Sequence, residues 1–471
     1  MSDYQRDEKP ADFLLPDSVK GWFSQMYTHM IGANVKEMAR LYDKEFAALT
    51  ASYFKQSAWP EPDGEAVISL VDEDPVFLTL YAQIYYRHMF SKLQPTMEFK
   101  QASWANYCAI FDGLLDGSLQ LDAMPSQWLF DIVGEFVYQY QSFCQFRAKN
   151  KTEDVPAIWT TPAVHGYLHR VVKHSNIKAV LQDENATSPS ESLKELGYFA
   201  LICLSRAHVL TGDYYTALSL LKPIDFAKRD QLYHKSYSCH VSVFYHMGFA
   251  QLMLGDMAAA IRSFAKIILQ VHRNRAYYSK FADYDQVTKL TEKALALVVV
   301  ATHLAPGYNV EDQVHALLRE KHSDKQAAIQ KGDVHVLTEL FVSASPKFIL
   351  ATVATDADDV SKDALTFQTK LFVELVERHA ALPAIRSFIK LYRSIEAAKL
   401  ARFRGNDATV ATVVAECMHL KLVSELVQSD VHFYLSGDLV KVDEQKREQR
   451  TGQYFMNQIA KLQRVVDSCQ E

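Results

Sequence analysis

The stretch IRSFIKLYRSIEAAKLARFRGNDATVATVVAECMHL (385–420), with HFYLSGDLVKV (432–442) after it, decides the fold. Ile385, Phe388, Ile389 and Tyr392 recur at helical spacing, beginning near Pro383, where proline suits a first helical turn. A stripe of Leu371, Phe372, Leu375 and Val376 precedes them. A short helix is expected from Ile395 to Phe403, stopped by Gly405. Asp407 can N-cap the next helix, because its carboxylate accepts from orphan backbone N–H groups. That helix is expected to bury Val410, Val413, Val414, Cys417 and Leu420. His432–Leu435 and Leu439–Val442 then flank Ser436-Gly437-Asp438, a turn that tolerates positive φ. Helices, a recognition-type helix and a hairpin, in that order, describe a winged helix.

Outward from this module the chain reads as helical. With 471 residues it exceeds one small core. Glycine (16) and proline (14) are too scarce for a turn-rich all-β fold. Residues 1–17 read as a disordered lead-in without a signal peptide, and 18–188 as a first helical domain. Within it, Pro125 opens a strong amphipathic helix. Leu129, Ile132, Val133, Phe136, Tyr140 and Phe143 share one face, with Asp131, Glu135 and Gln139 off it. A polar stretch from Asp183 to Ser192 marks the next boundary. Residues 189–350 carry a weak repeat: Gly212-Asp-Tyr-Tyr-Thr-Ala217 recurs as Gly255-Asp-Met-Ala-Ala-Ala260. Helix, Gly-Asp turn, helix is the logic of tetratricopeptide-like (TPR-like) units, although the usual period is about 34 residues. Such pairs bury their faces against neighbours and form a solenoid. The winged helix is assigned to 351–443, and 444–471 to one C-terminal helix. Phe455, Ile459, Leu462 and Val466 form that helix's narrow apolar seam, the pattern of a helix that docks into a bundle.

Charge and motifs exclude several functions. The net charge of -6 is wrong for a chain whose whole surface meets nucleic acid. Between Asp407 and Leu422 the recognition-type helix offers only Lys421 and His419, so it reads as a protein-packing wing and not a DNA reader. Arg386, Lys390, Arg393, Lys399, Arg402 and Arg404 make a basic strip before it, a candidate RNA contact set against a merely solvated helix face. The aromatic run from Tyr138 to Phe146 could stack bases, but at helical spacing it reads as core. His165 and His169 have the i, i+4 spacing of zinc ligands, yet Gly166 stands where a catalytic glutamate would. No nucleophile elbow, phosphate-binding loop or dinucleotide fingerprint occurs, so neither enzyme activity nor a cofactor is expected. The six cysteines form no C-x-x-C pair and read as reduced core residues of a cytoplasmic protein. The longest apolar run, Ala294 to Ala301, is far short of the ~20 residues of a membrane span.

Helical repeats running into a winged helix and a final helix resemble the PCI family, whose members build the proteasome lid, the signalosome and eukaryotic translation initiation factor 3. MPSQWLFDIVGEFVYQYQSFCQFRA (124–148), VFLTLYAQIYYRHMF (76–90), KELGYFALICLSRAHVLTGDYYTAL (194–218), HALLREKHSDK (315–325), QKGDVHVLTELF (330–341), SPKFI (345–349) and IRSFIKLYRSIEAAKLA (385–401) more specifically resemble the subunit L family of that initiation factor. The resemblance implies an all-α scaffold without catalysis, placed beside subunits K and E. Its last helix would join the core-bundle subunits A, C, F, H and M, and the assembled factor would bind the small ribosomal subunit. The hairpin residues Phe433, Tyr434, Leu435, Leu439, Val440 and Val442 are expected to contact a neighbour, by edge-strand addition among other routes. The seam residues of the tail are expected to contact the bundle. Membership of a lid-type or signalosome complex, or an RNA adaptor role for the basic strip, is the alternative.

Overall fold

The computed structural model describes residues 15–149, 158–349 and 364–443, with gaps at 94, 122, 184, 229–230, 280–283, 306, 332, 406–407 and 428–430, and part of 452–463. The lead-in up to residue 14 and the stretch 350–363 lie outside the described residues.

The first helices gather aromatic rings. Trp59 is buried and stacks on Phe46 with centroids 4.4 Å apart. Its indole N–H donates to Thr50 Oγ1 (2.9 Å), and Tyr81 Oη donates to the Pro60 carbonyl (2.6 Å), so the Trp-Pro stretch is pinned at both ends. In the next helix, Pro75–Lys92, Asp74 Oδ1 accepts from Val76 N at 2.8 Å and proline fills the first turn. The Ser126–Lys149 helix buries its expected stripe, Leu129 to Phe143. Its polar side is packed too. Asp131 accepts from Tyr42 Oη (2.7 Å) and Arg87 Nη1 (2.6 Å), and Gln139 donates to Ser103 Oγ (2.7 Å). Buried polar groups are tolerated because these hydrogen bonds offset their desolvation.

The repeat is a pair of helical hairpins, Glu191–Thr211 with Tyr214–Leu221 and Tyr237–Met253 with Met257–Arg273. Gly212 and Gly255 both turn at φ 86°, a left-handed conformation that costs glycine nothing. The following aspartates cap the second helices: Asp213 Oδ1 accepts from Thr216 N and Asp256 Oδ1 from Ala259 N. Ala217 and Ala260 lie buried at the close contact of each hairpin. Glu191–Thr211 also packs on Thr161–His174 and Ser126–Lys149, so the repeats and the first helices share one core. Tyr284–Leu304, Asp312–Gln330 and Val334–Ala344 continue the stack. No described helix is long and apolar enough to cross a membrane.

The last module contains helices Ala364–His379, Leu382–Leu391, Ala397–Arg404 and Val410–Val427 with three strands, β1 (Ser394–Glu396), β2 (His432–Ser436) and β3 (Leu439–Asp443). The sheet order is β1-β3-β2, antiparallel throughout, with Ile395 and Leu435 both paired to Val440. This corrects the expectation of a helix from Ile395. The ladder with β3 holds 394–396 extended, Ile395 points into the core, and the helix starts at Ala397. Asp407, the expected cap, lies outside the described residues. The next helix starts at Val410, with Thr409 Oγ1 accepting from Thr412 N at 3.1 Å. Val413, Cys417 and Leu420 are buried as expected, but Val414 is only half-buried and Val410 is 41% exposed.

Candidate protein interface on the terminal module

β3 is the middle strand, so both of its edges are occupied. Phe433 and Val440 are 5% and 0% exposed and belong to the core of the module. Leu435 and Val442 pack against that core from its margin. Of the six hairpin candidates, Tyr434 (49% exposed) and Leu439 (36%) present the most surface to solvent. The alternation follows from the pleat, which turns successive side chains to opposite faces. Among the described residues, β1 and β2 are each paired only with β3, so they and not β3 are the edges of the sheet.

The tail contributes a second apolar surface. Described residues at 454–456, 458–459 and 462–463 are helical. Tyr454, Phe455, Met456, Ile459 and Leu462 are all more than half exposed, while Val466 lies outside the described residues. Isolated exposed apolar residues are ordinary, but here five fall within the nine positions from 454 to 462.

The basic strip divides. Arg404 is held by Glu416 through two hydrogen bonds, of 2.8 Å and 3.2 Å. That carboxylate raises the Arg404 pKa further above its ordinary value. Arg386 is half-buried and its guanidinium lies against Gly307, where a Cβ would come within 2.6 Å of Nη2. Lys390, Arg393, Lys399 and Arg402 are exposed. Lys399 Nζ lies 5.2 Å above the Tyr392 ring and 5.8 Å from that of Phe403, and Phe403 stacks on Phe388 at 5.3 Å. Leu391 beside them is 77% exposed. This aromatic and cationic patch joins two helices and was not evident in sequence, where Phe403 reads as the end of a helix.

The paired histidines of the Thr161–His174 helix lie where it packs on Glu191–Thr211. The His165 ring is 4.6 Å from that of His208, whose Nδ1 is 3.2 Å from Asp213 Oδ2. Burial, and then the neighbouring His208, push the His165 pKa down to about 4. Among the described residues, no group of three or more His, Cys, Asp or Glu is placed to hold a metal ion. Burial pushes the Cys203 and Cys417 thiols up to about 12 and 11, far from the thiolate a nucleophile needs. Tyr140 and Phe143 of the aromatic run are buried, as a core reading requires, while Tyr138 is 43% exposed.

A helical-repeat scaffold closed by a winged-helix module, with apolar surface concentrated at its C-terminal end, is the class of protein these features define. The family model described as RNA polymerase I-associated factor PAF67 matches residues 100–462. The chain is 32% identical over 502 residues to eukaryotic translation initiation factor 3 subunit L of Nematostella vectensis, covering 98% of the chain and 95% of the relative. Against the subunits L of Danio rerio and Homo sapiens the identities are 36% and 35%, over 90% of the chain and 80% and 82% of the relatives. The chain belongs to this family, the L subunits of eukaryotic translation initiation factor 3.

Proposed function

We propose that the chain acts as a non-catalytic scaffold subunit of the PCI-type core of translation initiation factor 3, supporting assembly of the pre-initiation complex on the small ribosomal subunit in the cytoplasm. The observation that carries this reading is the exposed seam of Phe455, Ile459 and Leu462. Apolar surface of this kind is stabilised when it is buried against other helices. Subunits K and E are the proposed neighbours of the module through Tyr434, Leu439 and the edge of β2. The core-bundle subunits are the proposed partners of the tail. Deletion of 444–471 is expected to abolish co-purification with core subunits while the circular dichroism of the remaining chain stays helical. Normal assembly of the truncated chain would remove the tail from this role. Co-purification with proteasome-lid or signalosome subunits in place of initiation factors would overturn the assignment.

A second reading, RNA contact, draws on Lys390, Lys399 and Arg402 standing exposed around the stacked rings of Phe388, Tyr392 and Phe403. Cations for phosphates beside rings for bases suit a single strand. Charge reversal at Lys399 and Arg402 is expected to weaken RNA crosslinking. Unchanged crosslinking excludes this face.

A further inference from the structure

A cleft of about 790 Å³ opens between the first helices and the repeats, outside both surfaces described above. It is walled by the Pro75–Lys92, Ser126–Lys149, Glu191–Thr211, Tyr237–Met253 and Tyr284–Leu304 helices, and Pro346 and Lys347 also line it. Its volume falls within the range of small-molecule sites. Its charge runs against that of the whole chain. Seven lysines and arginines line it against four acids, Asp43, Asp131, Glu135 and Asp285, on a chain whose net charge is -6. Asp131 is already committed to Arg87 and Tyr42.

Four of these cations, Arg206, Lys289, Lys293 and Lys347, come from the repeat side of the cleft, with Asp285 one helical turn before Lys289. Among the described residues none of these four makes a salt bridge of 4 Å or less. Arg206 Nε is buried without a hydrogen-bond partner, and an orphaned guanidinium donor is costly unless something accepts from it. Lys293 Nζ donates to the Ser345 carbonyl at 2.8 Å, which anchors it beside Lys347. Burial first, and then the positive charge of Arg206, hold the His246 imidazole between these cations down to about 3. Burial and the neighbouring Lys347 likewise lower Lys293. Like charges gathered at the wall of one cleft, with donors to spare, are the complement of a polyanion.

We propose that this cleft binds a small, multiply phosphorylated molecule, whose phosphates are held by Arg206, Lys289, Lys293 and Lys347. The rings of Phe46, Phe90 and Tyr138, which line the same cleft, offer apolar surface to an organic portion. The ligand would bridge the first helices to the repeats and so stabilise their junction.

The test is calorimetric titration of the full chain with tripolyphosphate and with ATP, at low and at physiological salt, with the melting temperature followed in parallel. One-to-one binding that raises the melting temperature is expected. The double variant Lys289→Gln/Lys347→Gln, which changes only exposed side chains, should bind at least about tenfold more weakly. Arg206→Gln should bind more weakly still. Lys173→Gln/Lys178→Gln removes the same charge outside the cleft and should bind as the parent does. Absence of binding by either anion, or equal affinity in the cleft and control variants, overturns the proposal.

Discussion

The ring of Phe341 stacks on that of Phe372 with centroids 4.1 Å apart and planes 3° from parallel. One ring ends the helical stack and the other opens the terminal module, and both are fully buried. A second tie runs alongside, from Tyr214 Oη to Gln368 Oε1 at 2.6 Å, so the repeat itself touches the module. The terminal module is therefore packed on the solenoid and not strung from it.

Replacement Phe372→Ala removes a buried ring at this junction and is expected to cost about 3–5 kcal/mol. Phe367→Ala, on the same helix but 50% exposed, should stay within about 0.5 kcal/mol of the parent. Urea midpoints of the two variants measure the difference. Equal losses would mean that the stack does not join the two parts.

The two Gly-Asp turns should respond unequally to alanine. Both glycines sit at φ 86°, so each substitution pays the left-handed penalty of about 1–2 kcal/mol. At Gly255 the nearest atom to a new Cβ is Leu375 Cδ1, at a comfortable 3.9 Å. At Gly212 it would stand 2.6 Å from Gln368 Nε2 and dislodge the amide bonded to Tyr214. Gly212→Ala should therefore be the worse by about 1 kcal/mol, and pairing it with Gln368→Ala should remove the excess over Gln368→Ala alone. Denaturation of the single and double variants reads this directly.

Acid should weaken the fold through its buried histidines. Burial first, and then His234 and Lys266, press the His240 pKa down to about 3, and neither ring nitrogen has a hydrogen-bond partner. The unfolded chain takes up the proton near pH 6.5, well before the folded one does. Stability is thus fully present above that value and falls as pH drops toward 3, by about 1.4 kcal/mol per pH unit for each such histidine. His240→Phe, among the rings of Tyr233 and Phe244, should flatten the slope by that amount between pH 6 and 4. An unchanged slope in pH-dependent urea unfolding counts against it.

On the hairpin, adjacent residues should separate folding from association. Phe433→Asp buries a charge in the module core and is expected to unfold it. Tyr434→Asp, half exposed, should leave the melting temperature within a few degrees while reducing co-purification with neighbouring subunits. Loss of stability in both variants would mean that Tyr434 serves the fold and not the interface.

Much of the helical fold could be read in order along the chain. The Gly-Asp turns, the stripe from Leu129 to Phe143 and the hairpin around Gly437 are local patterns, and local backbone and side-chain physics enforces them. The same locality misplaced the stretch from Ile395, because three residues become a strand only when β3 arrives more than forty residues later to pair with them. It also treated the hairpin as one surface, when the sheet order makes β3 central and turns Phe433 and Val440 inward.

Periodicity and turn chemistry were enough to specify a helical scaffold ending in a winged helix, since each depends on neighbours a few residues away. Which groups meet across the fold was settled only by packing. The junction of Phe341 with Phe372, the bond between Arg404 and Glu416, and the gathering of Arg206 with Lys293 and Lys347 each join separate elements. Side chains so distant along the chain come together through burial in three dimensions, and no spacing in one dimension encodes that.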